Sequence, residues 1–82
     1  MKDITKLEDT IDMMLSEDYF DRLLAEYHQV RIRYQKLAKM LDDYDNGTLG
    51  FIPDTPIHIL KSQLNIMHDY LIILNQRLHI EA

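Results

Sequence analysis

YFDRLLAEYHQVRIRYQKLAKMLDDY, residues 19–44, is the stretch whose reading decides the fold. Within it Phe20, Leu23, Tyr27, Val30, Tyr34, Leu37, Leu41 and Tyr44 recur at alternating steps of three and four residues. Such an unbroken apolar stripe predicts a long amphipathic helix built to pack lengthwise against other helices. Tyr27, Tyr34 and Tyr44 lie in the stripe, and Arg31, Arg33, Lys36 and Lys39 flank it.

Upstream, Ile4, Leu7, Ile11 and Met14 follow at helical spacing behind Asp3, a plausible N-cap; Thr5 and Glu8 offer a capping-box start instead. Continuing that phase would place Asp18 and Asp21 on the apolar line, whereas the next stripe begins at Phe20. The phase therefore slips across Ser16–Glu17–Asp18, where Ser16 is a good N-cap and two acids suit the first turn of a helix dipole. This reads as a short helix over about 3–15, a break, and a long helix from 17 to 43–45. One bent helix is the alternative.

Downstream, Asn46-Gly47 tolerates the left-handed backbone that stops helices. Residues 46–55 then form a loop in which Leu49, Phe51 and Ile52 are apolar enough to predict packing on the helices. Thr55-Pro56 reads as N-cap plus first-turn proline of a last helix over 56–80. Its main stripe is Leu60, Leu64, Met67, Leu71, Leu74 and Leu78. A second stripe, Ile59, Ile66, Tyr70, Ile73 and Ile80, lies beside it, with Ile72 sitting oddly on the polar side. A face that broad predicts a second partner, either the N-terminal helix or another subunit.

Eighty-two residues form one domain, near the lower limit for a self-sufficient core. With no cysteine to form a disulfide or a thiolate metal site, association with another copy is the natural staple. Met1 is expected to be the authentic start: the acidic N-terminal region lacks the apolar core of a signal peptide. The longest apolar run, Tyr70–Leu74, falls far short of the ~20 residues that span a membrane. A soluble, cytoplasmic protein is the expectation.

The formal charge of −5 is segregated. Residues 1–26 carry a net −5, residues 27–41 a net +4 with no acid, and residues 42–58 a net −4. This acidity argues against general nucleic-acid binding, which depends on neutralising phosphates. The basic block can still grip one small anion or pair with an acidic neighbour.

Chemistry offers little else. No two of His28, His58, His68 and His79 are three or four residues apart, so no helical metal-ligand pair exists and no metal or cofactor is expected. Gly47-Thr48-Leu49-Gly50 is no phosphate loop, and no serine or threonine sits in a nucleophile elbow. Catalytic residues are not identified. Tyr27, Tyr34 and Tyr70 fit core or interface packing, with a stacking platform for a base or sugar as the sharper alternative. Arg31, Arg33, Lys36 and Lys39 fit a solvated face, with a phosphate clamp between subunits as theirs.

Taken in order, Arg22-Leu23, Glu26 and Arg33-Tyr34-Gln35-Lys36-Leu37, then Gly47-Thr48-Leu49-Gly50-Phe51, Pro53 and Pro56, then Leu60, Gln63, Met67, Tyr70, Leu74 and Arg77, carry a resemblance. Over residues 18–80 the chain resembles short uncharacterised phage and prophage proteins of gut and Gram-positive bacteria, related to a crAss-like phage protein family. The resemblance implies phage origin and a helical hairpin. More loosely, and in architecture alone, the chain is similar to phage anti-CBASS and anti-Thoeris sponges, small helical oligomers that bury an immune nucleotide between subunits. That similarity implies a site combining stacking aromatics with cations from two chains. Tyr27, His28, Arg31, Tyr34 and Gln35 would supply one side, and Lys61, His68 and Arg77 the other.

The expectation is therefore an all-α, single domain over 1–82: an antiparallel hairpin of two long helices with a short N-terminal helix, assembled as a homo-oligomer. The function expected is sequestration, without turnover, of a host cyclic nucleotide or ADP-ribose derivative that signals antiphage defence, in the cytoplasm of the infected bacterium. A helical adaptor or structural phage protein that binds a host or virion protein is the alternative, and a small enzyme stands third. Neither nucleic acid nor membrane is an expected partner.

Overall fold

The computed structural model describes residues 3–82; residues 1 and 2 of the expected domain lie outside the described residues. The described residues form three helices and no strand: a 3₁₀ turn over Leu7–Thr10 leads into α1 (Ile11–Met14), followed by α2 (Tyr19–Asp45) and α3 (Ile57–Glu81). At ~1.5 Å per residue the 27 residues of α2 make a rod about 40 Å long, matching the 43 Å long dimension of the molecule.

The long helix starts two residues later than the spacing implied. Asp18, not Ser16, is the cap: its carboxylate accepts from the Phe20 N–H at 3.0 Å. Ser16 instead braces the break, its hydroxyl accepting from the Asp18 N–H at 3.1 Å and donating to Asp21 at 2.9 Å. Arg22 ties down the Ser16 carbonyl at 2.7 Å. The end of α2 follows the sequence. Gly47 adopts φ +70°, and the Thr48 and Leu49 N–H groups turn back onto the Asp43 carbonyl at 2.8 and 3.1 Å.

Cross-helix pairs set the register of the hairpin. Lys61 meets Asp45, Tyr34 meets His68, Tyr70 donates to Glu26, and Arg77 donates to the Tyr19 hydroxyl. As one number falls the other rises, so α2 and α3 run antiparallel. Leu23 and Leu41 of the first stripe and Leu74 of α3 are buried between them, with Leu60, Leu64, Met67, Leu71 and Leu78 half-buried alongside. Tyr44, at the end of the stripe, stays exposed.

Three further expectations are overturned. First, the N-terminal segment is not a helix over 3–15. The Asp9 carboxylate accepts from the backbone N–H groups of Thr5 and Lys6 at 3.0 and 3.1 Å, which fixes the start one turn later and gives Asp9 the bracing role read for Glu8. Second, Phe51 and Ile52 do not pack: they are 58% and 92% exposed, and Leu49 alone of the three loop apolar residues is half-buried. Third, Pro56, not Thr55, is the N-cap of α3. Its ψ of 140° keeps it outside the helix, while its carbonyl accepts from Ile59 and Leu60.

The N-terminal segment docks on α2, on the side away from α3. Ala25 and Ile32, seven residues apart and off the first stripe, are buried beneath it. Thr10 is fully buried there, donating to the Leu7 carbonyl at 2.7 Å and accepting from the Gln29 amide at 3.0 Å. The second stripe of α3 is left uncovered.

Candidate functional site

Along one flank of α2, helical spacing places His28, Arg31, Gln35, Lys36 and Lys39 on adjoining turns beside the N-terminal segment. Arg31 is the hub. One terminal nitrogen donates to the Ile4 carbonyl at 2.8 Å, the other to the Gln35 side-chain oxygen at 3.1 Å. His28 Nδ1 lies 3.2 and 3.4 Å from the same guanidinium. A guanidinium only donates, so Nδ1 must be the acceptor and the neutral ring carries its proton on Nε2. Burial, and secondarily the Arg31 charge, push the His28 pKa below its ordinary 6.5, consistent with a neutral ring. The Tyr27 ring meets it edge-on at 5.3 Å.

Next to this cluster, Thr5, Ile32, Gln35, Lys36 and Lys39 line a shallow depression of about 300 Å³. Lys39 is occupied by the Asp43 carboxylate at 2.9 and 3.0 Å. Among the described residues, Lys36 and Arg33 enter no ion pair or side-chain hydrogen bond. A second depression, of about 480 Å³, opens on the outer side of the N-terminal segment, among Ile4, Glu8, Asp9, Ile11, Asp12 and Met13. Its three carboxylates make it unsuited to an anion.

Of the eight residues singled out from the sequence, one chain gathers four into the flank cluster: Tyr27, His28, Arg31 and Gln35. Tyr34 and His68 stack across the hairpin at 6.1 Å, with a 43° tilt between the rings. Lys61 and Arg77 lie elsewhere. Lys61 sits at the loop end of the hairpin, on Asp45 at 3.2 Å, while Arg77 sits near the other end, on Tyr19 and on Glu81 at 3.3 Å. Sixteen residues of helix, about 24 Å, separate them. Nor is Arg31 a free cation, because it holds the N-terminal segment in place.

Sequence reading missed the groups that fix this arrangement: Thr10, Gln29 and the Ile4 carbonyl. One signal was present, the Ala25–Ile32 pair opposite the main stripe, which marks a second buried face on α2. Among the described residues no three His, Cys, Asp or Glu side chains cluster as metal ligands, and no helix is long and apolar enough to cross a membrane.

No curated protein and no solved structure matches the chain. A family does. The pattern of the Sequestin family matches residues 17–80, from the break before α2 to the end of α3, leaving the N-terminal segment outside. With that coverage, the chain belongs to the Sequestin family.

Proposed function

We propose that this chain is a phage-encoded binding protein that captures a host nucleotide-derived immune signal, a cyclic nucleotide or an ADP-ribose derivative. It holds the signal without turning it over and so silences an antiphage defence in the infected bacterium's cytoplasm. The observation that carries the reading is membership of the Sequestin family, whose name is consistent with a sequestering binding protein. Phage origin rests on the sequence resemblance.

The flank of α2 has the right chemistry for such a ligand. Lys36 is an uncommitted cation there and Arg33 a second one further round α2; the Tyr27–His28 ring pair lies on the same helix, and Tyr34 meets His68 across on α3. The shape of one chain is insufficient. Small-molecule sites bury most of the ligand's surface, whereas the depression beside Lys36 offers a single open wall. Lys61 and Arg77, about 24 Å apart on α3, cannot both enter it from one chain; the missing wall comes from another subunit, so the reading includes a homo-oligomer with the ligand between chains.

Calorimetric titration against a panel of cyclic oligonucleotides and ADP-ribose derivatives tests it. Saturable binding of one class is expected, with the ligand recovered intact after heat denaturation. Arg33→Glu combined with Lys36→Glu weakens binding by at least ~10-fold at unchanged helicity, the scale of a lost charge-assisted hydrogen bond. Arg31 is the wrong probe, because replacing it also releases Ile4.

The exposed isoleucines of α3 favour a second reading, an adaptor or structural phage protein that binds a host or virion protein through that face. No binding across the panel, together with stoichiometric recovery of a protein partner, decides for the adaptor.

A further inference from the structure

Ile59, Ile66, Ile73 and Ile80 recur along α3 at intervals of seven residues, from its first turn to its last. They are 48%, 69%, 54% and 81% exposed, although each is as apolar as the leucines that pack on α2. A seven-residue repeat stays in line only if the helix supercoils left-handedly around a partner, because an ideal helix drifts ~20° per heptad. The leucines and methionine facing α2 occupy one seam of α3, so the isoleucine ladder is a second seam. The N-terminal segment, docked on the far side of α2, does not reach it.

We infer that this ladder is the interface of a two-fold dimer, in which α3 of two copies packs antiparallel to form a four-helix arrangement ordered α2–α3–α3–α2. The inference goes beyond the proposed function: it names a surface that joins two copies, and in this order α2, with the depression beside Lys36, lies outermost.

Two observations fix the occupant and its direction. The ladder is centred between residues 69 and 70, and α3 itself (Ile57–Glu81) is centred at 69. Antiparallel pairing therefore sets Ile59 against Ile80 and Ile66 against Ile73 of the other copy and uses the whole helix. A parallel pairing would face Asp69 with its own copy, a like-charge contact that costs stability; the antiparallel one sets it beside the other copy's Tyr70. Together with the exposed Tyr70, the ladder gives each copy one apolar seam along the whole length of α3.

The test uses analytical ultracentrifugation and crosslinking of the full chain, which has no cysteine of its own. A dimer is expected for the wild type. Ile66→Asp and Ile73→Asp, both at exposed positions that leave the α2-facing core intact, should weaken association at least ~100-fold with the helical spectrum retained, since each copy then buries an unpaired carboxylate. Copies carrying Ile59→Cys should form disulfides with copies carrying Ile80→Cys but not with one another, because antiparallel pairing holds the two copies' Ile59 positions about 30 Å apart. A monomeric wild type, a dimer indifferent to both aspartates, or an efficient Ile59→Cys homodimer overturns the inference. Nucleotide titration of the same samples separates the two proposals. A ladder-built dimer that binds no nucleotide refutes the function alone, and a monomer that binds one refutes the interface and the ligand's place between chains while sequestration stands.

Discussion

Thr10 and Gln29 decide whether the N-terminal segment stays docked on α2, and removing the Thr10 hydroxyl probes that lock directly. Thr10→Val keeps the shape of a fully buried side chain but deletes two hydrogen bonds, the 2.7 Å donation to the Leu7 carbonyl and the 3.0 Å acceptance from the Gln29 amide. A net hydrogen bond is worth ~1 kcal/mol, and stranding a buried partner adds to the loss. The Gln29 amide also contacts the Met14 sulfur at 3.5 Å and is not wholly stranded, so the expected cost is ~1–2 kcal/mol. Native-state hydrogen exchange is the suitable assay, because it reads opening of the segment whether or not the hairpin unfolds. The Leu15 N–H, bonded to the Ile11 carbonyl at 3.0 Å, should exchange ~5–30-fold faster in the variant, while amides in the middle of α2 keep their protection. Gln29→Ala alone should act in the same direction. The double variant should fall short of the sum of the two by ~0.5–1.5 kcal/mol, the energy of the shared bond. Strict additivity, or equal acceleration across α2, would refute the claim that this pair is the lock.

Two further outcomes follow from the core and the flank. Leu74 is completely buried between α2 and α3, so Leu74→Ala should cost ~2–5 kcal/mol in urea unfolding at fixed protein concentration, whereas Ile72→Ala, half in solvent, should cost far less. His28 has a pKa held below 6.5 in the folded state, so the unfolded chain binds the proton more readily. Its contribution to stability is therefore complete above pH 6.5 and declines as pH falls below that value toward the folded pKa. Urea midpoints should drop more steeply over that acid range for the wild type than for His28→Gln, and identical slopes would remove His28 from the account.

The helical hairpin and the stop of α2 were legible in the residues, and the reason is local. A stripe such as Phe20–Leu23–Tyr27 and the matching Leu60–Leu64–Met67 line need only the 3.6-residue pitch to declare which faces bury. Asn46-Gly47 needs only glycine's access to positive φ to end α2. Where competing local partners existed, the reading slipped. Asp9 took the capping role read for Glu8, and Asp18 the role read for Ser16, because two candidate caps within a turn of each other are separated only by the backbone's actual path.

The candidate site was legible in its residue types and not in its state. Arg31, Lys39, Lys61 and Arg77 look alike in the chain, yet each is committed elsewhere: to the Ile4 carbonyl, to Asp43, to Asp45, and to Tyr19 and Glu81. Within the basic block, Arg33 and Lys36 are the cations left uncommitted among the described residues.

The sequence alone thus determined two long helices, the faces they share, and a surplus apolar seam on the second, because periodicity is a property of each helix by itself. Tertiary structure alone decided that the N-terminal segment lies on the back of α2 and which cations of the basic block remain uncommitted. Those outcomes depend on pairings such as Thr10 with Gln29 and Ile4 with Arg31, 19 and 27 residues apart, which form only when the docked register brings them within hydrogen-bond reach.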